Sequence, residues 1–414
     1  HPEHTRMTTC QRSPHRPAGP PRGEAGAALV VGLILLLVLT LLCFATGCGD
    51  DASSSSGNNA AGGSGGGASG GGGGSGSGST GGVAGNPQGP WAAQAIELSS
   101  LTAVWGGLVA QESATRAYLA GGLASTGGGA SKKVFRIEQS GSSVTITTLS
   151  EAIAERYCGC AMVDPKRGEL IVLGGRDGSF VDTATAELID LASGGVSVLD
   201  AGSAAAHPVG CHAVFLADRD EGYVFGGASQ SSGFDNALFR YSPGDRSFTK
   251  LEISGALPPA RYDGAFRYPA AGGPLFLVSG MGSGSSGPAF FGDVWTFDPA
   301  SQQWSEIVPA GATPPGRRLP WVTFAGAASA LVMGFGSDSS MGQSMLGDLW
   351  RFDLATKIWS EPGFSGTAPP LRGFAQWLPG PEGTAGLLSG GLGEMGMVTE
   401  QQVLAPPTAS GGWR

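Results

Sequence analysis

The chain has 414 residues, of which 73 are glycine and only 14% are charged, and its formal net charge is −9. That acidic balance lacks the positive field on which nucleic-acid binding draws, so nucleic acid is excluded as a partner. So much glycine would signal low complexity throughout, but a large share of it sits in one stretch and the rest recurs at regular intervals.

Arg6, Arg12, Arg16 and Arg22 precede an uncharged apolar segment at 25–45. A basic start, an apolar middle and small residues at the end are the plan of an export signal. "ATGC", ending at Cys48, resembles the lipobox of bacterial lipoproteins, in which small residues precede a cysteine that takes lipid and becomes the mature N-terminus. Ala45 stands where that motif usually has Leu. The competing reading is an uncleaved anchor, since about 20 apolar residues can span a bilayer. Met7 is a candidate start. Both readings place the rest of the chain outside the cytoplasmic membrane, in a bacterial envelope, at its periplasmic face or the cell surface. Residues 1–48 are therefore read as leader. Residues 49–90, almost only Gly, Ser, Ala and Asn, cannot bury a core and are read as a flexible tether with an r.m.s. span of roughly 35 Å. Residues 1–47 carry four Arg and two Glu, so their removal leaves a net charge of −11.

From residue 91 onward the chain repeats itself. "GDVWTFDPASQQW" at 292–304 returns as "GDLWRFDLATKIW" at 347–359. Aromatics on alternate residues, such as Trp295 and Phe297, share one face of a strand, and the turn that follows makes the phrase a hairpin. Weaker copies lie at 133–144, 185–196, 237–248 and 402–413. Before each hairpin an apolar run closes on paired or alternate glycines, ending at Gly122, Gly175, Gly227, Gly282, Gly336 and Gly391, at intervals of 52 to 55 residues. Such glycines suit a strand end that turns through positive φ and lets a neighbour approach. No Lys-Ser/Thr follows them, so they form no phosphate loop. A further strand precedes each run, for example at 211–217.

Four strands in a unit of about 50 residues that closes on Gly-Gly resemble the kelch family of β-propellers. The resemblance covers residues 91–414 and is strongest in the fourth and fifth units. It implies an all-β fold, a six-bladed kelch-type β-propeller, with the Trp and Phe residues as core between blades. Residues 91–98, "WAAQAIEL", are expected to complete the sixth blade and close the ring, with Trp91 and Trp413 competing for one place.

Chemistry is sparse. Galactose-oxidase-like copper sites need two His and two Tyr, and downstream of the leader only His207 and His212 are present. Sialidase turns and Gly-x-Ser-x-Gly elbows are missing, and no cofactor or metal is expected. Asp177, Asp218, Asp220 and Asp338 fall in turns, where Asp bonds its own backbone. Cys158, Cys160 and Cys211 leave one thiol free. Cys160 and Cys211 align on the inner strands of adjacent units, and either a bridge involving Cys211 or packed thiols is compatible with that count.

The loop into each inner strand carries a basic residue: Arg156, His207, Arg261, Arg317 with Arg318, and Arg372. Equal positions in a propeller fall on one rim, so these residues, with Arg176, Asp177 and Ser229 after the double glycines, are expected to encircle a mouth that binds an acidic or carboxylate-bearing partner. The competing role for each Arg is structural bonding between blades. The expected function is a non-enzymatic, envelope-anchored, monomeric module that binds a protein or glycan and reaches the membrane through lipid or the apolar segment. The alternatives are a carbohydrate-active enzyme on the same scaffold and an envelope spacer without a specific ligand.

Overall fold

A computed structural model describes residues 89–96 and 104–405, apart from the short stretches 114, 125–128, 141–142, 285–286, 326–327, 341–343, 374, 379–385 and 394–395. The segments read as leader and tether, with Cys48, and Trp413 lie outside the described residues.

The described chain forms six antiparallel blades. Blade I consists of Leu108–Gln111, Arg116–Ala120, Val134–Ser140 and Ser143–Ser150. Blade II runs through Cys160–Asp164, Glu169–Leu173, Ala186–Asp190 and Val196–Leu199, and blade III through His212–Leu216, Glu221–Ser229, Gly233–Ser242 and Ser247–Lys250. In blade IV the inner strand is split into Arg261–Tyr262 and Ala265–Arg267, followed by Leu275–Gly284, Gly287–Asp298 and Gln303–Glu306. Blade V is Trp321–Ala325, Ala330–Gly334, Leu349–Asp353 and Ile358–Ser360.

Blade VI is built from both ends of the domain. Gln376–Leu378, Gly386–Ser389 and Gln401–Ala405 are its first three strands, and Trp91–Ile96 pairs antiparallel with Gln401–Ala405 as the fourth. A fifth strand, Phe364–Gly366, then pairs parallel with the outer edge of Trp91–Ile96, from Trp91↔Phe364 to Ala93↔Gly366. The N-terminal strand is thus interior to its sheet, with both edges covered, a step beyond the ring closure read from the sequence.

Alternation of side chains places one set of residues of each blade against the blade before it and the other against the blade after. Leu108, Tyr118, Val163 and Leu170 join blades I and II. Phe225, Phe266, Phe297 and Trp304 join III and IV, while Phe276, Phe324, Phe352 and Trp359 join IV and V. Trp91 packs edge-on to Trp321, ring centres 5.6 Å apart, between blades V and VI. The repeated aromatics are therefore the seams between blades, where large flat side chains bury the most area.

Candidate functional site

Two consecutive residues with positive φ follow each blade's second strand or, in blades III and IV, interrupt it as a bulge. The pairs are Gly121–Gly122, Gly174–Gly175, Gly226–Gly227, Ser279–Gly280, Phe335–Gly336 and Gly390–Gly391. In blade IV this corrects the landmark by two residues, from Gly282 to Gly280. The reason for glycine is contact with the next blade: a Cβ on Gly121 would lie 2.3 Å from the Arg156 carbonyl, and one on Gly174 would lie 2.4 Å from that of Pro208. The second residue of the pair donates its N–H to that loop, as Gly122 to Arg156 O (2.8 Å), Gly280 to Arg317 O (2.8 Å) and Gly336 to Arg372 O (3.0 Å). Gly391 does the same to Val104 O (3.0 Å), which carries the pattern across the closure from blade VI to blade I.

The arginines expected on the rim are placed elsewhere. Arg156, Arg261, Arg317 and Arg372 are each 0% exposed. Nη1 of each donates to the first carbonyl of its own glycine pair or that pair's replacement: Gly174 (2.8 Å), Ser279 (2.9 Å), Phe335 (3.1 Å) and Gly390 (3.1 Å). Arg261 also forks onto Asp293 at 2.6 and 2.7 Å, and Arg317 onto Asp348 at 2.5 and 2.7 Å. Arg156 reaches Glu187 Oε2 at 2.6 Å, whereas Arg372 bonds the Glu400 main-chain oxygen at 2.9 Å. These four side chains fasten the entering loop to the blade it enters, while the carbonyls of Arg156, Arg317 and Arg372, as above, accept from the blade before. In place of the binding role expected of them the structure gives these four a structural one: each guanidinium is fully buried and bonded to its own blade, so it presents no donor outside.

The acid in each pair could have been found in the sequence. Asp293 and Asp348 belong to the repeated phrase itself, 32 and 31 residues after their arginines, and Glu187 lies 31 after Arg156. Where the arginine is missing the acid is missing too. Blade I has Val104 and Lys133 at the two positions, and blade III has Pro208 and Ala237.

Blade III is fastened by other means. Cys160 and Cys211 form a disulfide between the inner strands of blades II and III, Cα atoms 5.4 Å apart, and Cys158 remains a free thiol. By strand register Cys160 matches His212, not Cys211, so the bridge spans positions offset by one residue. His212 makes the matching link one seam further on. Its Nδ1 lies 3.0 Å from Phe225 O, and its Nε2 accepts the Gly264 N–H of blade IV at 2.7 Å. Accepting at Nε2 and facing a carbonyl at Nδ1 requires the neutral ring with its proton on Nδ1. Burial accordingly pulls its pKa down to about 4.

Around the axis runs a belt of left-handed residues, one in each of blades I to V: Gly106, Cys158, Gly210, Asp263 and Leu319, with φ between 50° and 65°. Cys158 donates its N–H to Gly106 O (2.6 Å), Gly210 to Cys158 O (2.6 Å), Asp263 to Gly210 O (3.0 Å) and Leu319 to Asp263 O (2.5 Å). Each bond links one blade to the next. The side chains beside the belt are mutually satisfied: Arg318 bonds Asp263 Oδ2 at 2.6 Å with its guanidinium over the Tyr262 ring, and Arg176 bonds Asp182 at 2.9 Å. Burial pushes the Cys158 thiol up, away from the thiolate.

A model of the "KLHDC2/KLHL20/DRC7 Kelch-repeats domain" matches residues 107–334, more than half of the chain. The chain belongs to the kelch-repeat family. Among curated proteins it is similar to the multiple epidermal growth factor-like domains protein 8 of Mus musculus, 28% identical over 161 residues, which cover 36% of this chain and 5% of that protein. The chain thus spans only a small fraction of that relative's length.

With the arginines withdrawn, a group of polar residues on the kelch propeller lies between blades II and III. A shallow cleft there is lined by Val181, Asp182, Pro208, Ser229, Gln230 and Ser231. Asp182 anchors it, bonded by Arg176 on one oxygen and by the Gln230 N–H (2.7 Å) on the other. His207 stands at one side, Nδ1 3.2 Å from Asp235 Oδ2 and Nε2 3.0 Å from Ser232 Oγ. Ser229 Oγ lies 2.9 Å from Ser231 Oγ. Asp177 accepts from the Ser179 and Val181 N–H groups at 2.8 and 3.0 Å and shapes its own turn, the role read for it from the sequence. Of the predicted residues the structure therefore brings Arg176, Asp177, His207 and Ser229 into one neighbourhood, buries Arg318 against Asp263, and removes the other four. Gln230 and Asp182 were missed, because nothing in their local sequence marks them. Among the described residues no group of three His, Cys, Asp or Glu side chains stands close enough to hold a metal ion.

Proposed function

We propose that this kelch propeller is a binding module of a bacterial envelope that takes a protein or glycan ligand on the face between blades II and III. Kelch propellers are in general protein-interaction modules. The observation that carries the reading is the cleft at Asp182, Ser229, Gln230 and Ser231. It combines fixed acceptors, hydroxyls and an exposed Val181 on a rigid seam, locked beneath by the Cys160–Cys211 disulfide. Rigid support lowers the entropy lost when a ligand orders such side chains.

The disulfide, the export-type segment and the lipobox-like "ATGC" support a location outside the cytoplasmic membrane, with Cys48 as the lipidated residue and 49–90 as the tether. Mass spectrometry of the processed chain tests this directly: lipid on an N-terminal Cys48 is expected, and a retained 1–47 segment would favour the uncleaved anchor. For the ligand face, a photo-crosslinking residue placed at Ser231 in the full chain, expressed in its own cells, should give adducts. The same residue at Val198, exposed on an outer strand, should give none. Equal adducts at both positions would remove the cleft from consideration.

A further inference from the structure

Arg267 differs from the buried arginines of the entering loops. It lies on the inner strand of blade IV, part-buried, and donates Nε to Val322 O of the blade V inner strand at 3.0 Å and Nη1 to Phe266 O at 3.0 Å. No carboxylate of the described residues pairs with it, whereas Arg156, Arg261, Arg317 and Arg318 each have one, and Arg372, which also bonds only main-chain oxygens, has the charge of Glu400 close enough to act on it. The matching register position in the other blades holds Ala110, Met162, Val214, Thr323 and Leu378, none of them charged. A single cation has thus been set into a ring of neutral positions where the repeat requires none. Burial pulls its pKa down to about 10, the mark of a charge that lacks compensation.

Two main-chain carbonyls take only part of the guanidinium's five donors. Inner strands of successive blades are neighbours, and the bond to Val322 O sets the guanidinium at the junction of the blade IV and blade V inner strands. Surrounding residues are apolar: Ala265, Phe266 and Val322 are all buried. His212, within electrostatic reach of Arg267, is held neutral by its two bonds and supplies no negative charge. A divalent, strongly hydrated anion would pay heavily to enter such a junction, while a monovalent, weakly hydrated one would not.

We propose that the junction of the blade IV and blade V inner strands binds a small monovalent inorganic anion of the halide class on the remaining N–H groups of Arg267. Occupancy supplies the missing counter-charge and so stabilises the folded propeller by linkage.

The test is thermal denaturation of the full chain in increasing sodium bromide or chloride, with sodium gluconate holding ionic strength constant. A saturable rise in melting temperature of a few degrees is expected with either halide, and it should vanish in Arg267→Met while Arg267→Lys retains part of it. If Arg267→Met does not fold, crystals of the unaltered chain soaked in bromide give a direct reading: an anomalous peak against the Arg267 guanidinium is expected. Melting curves that do not distinguish halide from gluconate would overturn the proposal. So would an unchanged halide response in Arg267→Met, or the absence of bromide from that position.

Discussion

Blades IV and V hold their entering loops with a buried arginine forked onto an aspartate, whereas blade III, which has Pro208 and Ala237 in place of that pair, is fastened covalently on one side and by a neutral histidine on the other. The comparison teaches that the repeat conserves a task, not a chemistry. Each seam needs a link from the entering loop or inner strand to its neighbour, and any bond that fits the register can supply it. A buried ion pair that is half-kept leaves a stranded charge. Arginine and acid are both present in blades IV and V and both absent in blades I and III, while in blade VI Arg372 stands on main-chain oxygens alone and burial pulls its pKa down to about 10.

The difference can be broken most severely in blade V. Arg317→Ala would leave Asp348 and the Phe335 carbonyl facing a void, and a loss of about 3 to 5 kcal/mol in urea denaturation is expected. The double change Arg317→Met, Asp348→Leu should cost less than Arg317→Ala alone, since no charge is then left behind. If the single and double variants are equally destabilised, the pair acts through packing and not through charge.

In blade III the corresponding break is Cys160→Ser with Cys211→Ser. Cross-linking residues separated by 51 positions lowers the entropy of the unfolded chain by an amount worth about 4 kcal/mol as an upper figure. The expected result is a lower midpoint in urea and an opening of the seam between blades II and III, seen as faster amide exchange in 160–164 and 212–216. A reductant should produce the same shift in the unaltered chain and none in the double serine variant.

The histidine link can be broken by pH alone. His212 titrates near 6.5 when unfolded and is pulled down to about 4 in the fold, so below 6.5 the unfolded chain takes up a proton that the folded one refuses. Its contribution is present in full above 6.5 and is lost as pH falls toward 4, by roughly 3 kcal/mol across that window. His212→Gln should flatten this part of the profile; an unchanged slope would assign the acid sensitivity to other groups.

The smallest effect concerns the glycine pairs. Gly121→Ala places a Cβ against the Arg156 carbonyl in a left-handed conformation, for which a cost of about 1 to 2 kcal/mol from backbone strain is expected before any clash. Ser279→Gly, at the matching position of blade IV, removes that strain and should be neutral or mildly stabilising in the same melting assay, unless loss of the Ser279 contact with Met333 outweighs it.

Much of the fold was legible because propeller packing writes itself into spacing. Paired or alternate glycines mark all six units at intervals of 52 to 55 residues, and aromatics on alternate residues mark three of them. The fate of the arginines was not legible by the same means. A basic residue after two prolines reads as a loop on the rim, and only the partner 31 or 32 residues away turns it inward. That distance is constant and stood in the sequence, but it links two landmarks that local patterns treat separately. The cleft residues Asp182 and Gln230 carry no repeat signal at all, since a binding surface is where one blade departs from the others.

The N-terminal strand, held between Gln401–Ala405 and Phe364–Gly366, has a mechanical consequence. Tension arriving from the preceding segment enters at Trp91 and runs along the strand, so it must shear two rows of hydrogen bonds together instead of peeling one open. Trp91, wedged edge-on against Trp321, adds a steric stop at the point of loading. A propeller hung from a surface by this end would therefore resist flow or a pull on its ligand at its own closure, the place where a ring of blades is otherwise easiest to unzip.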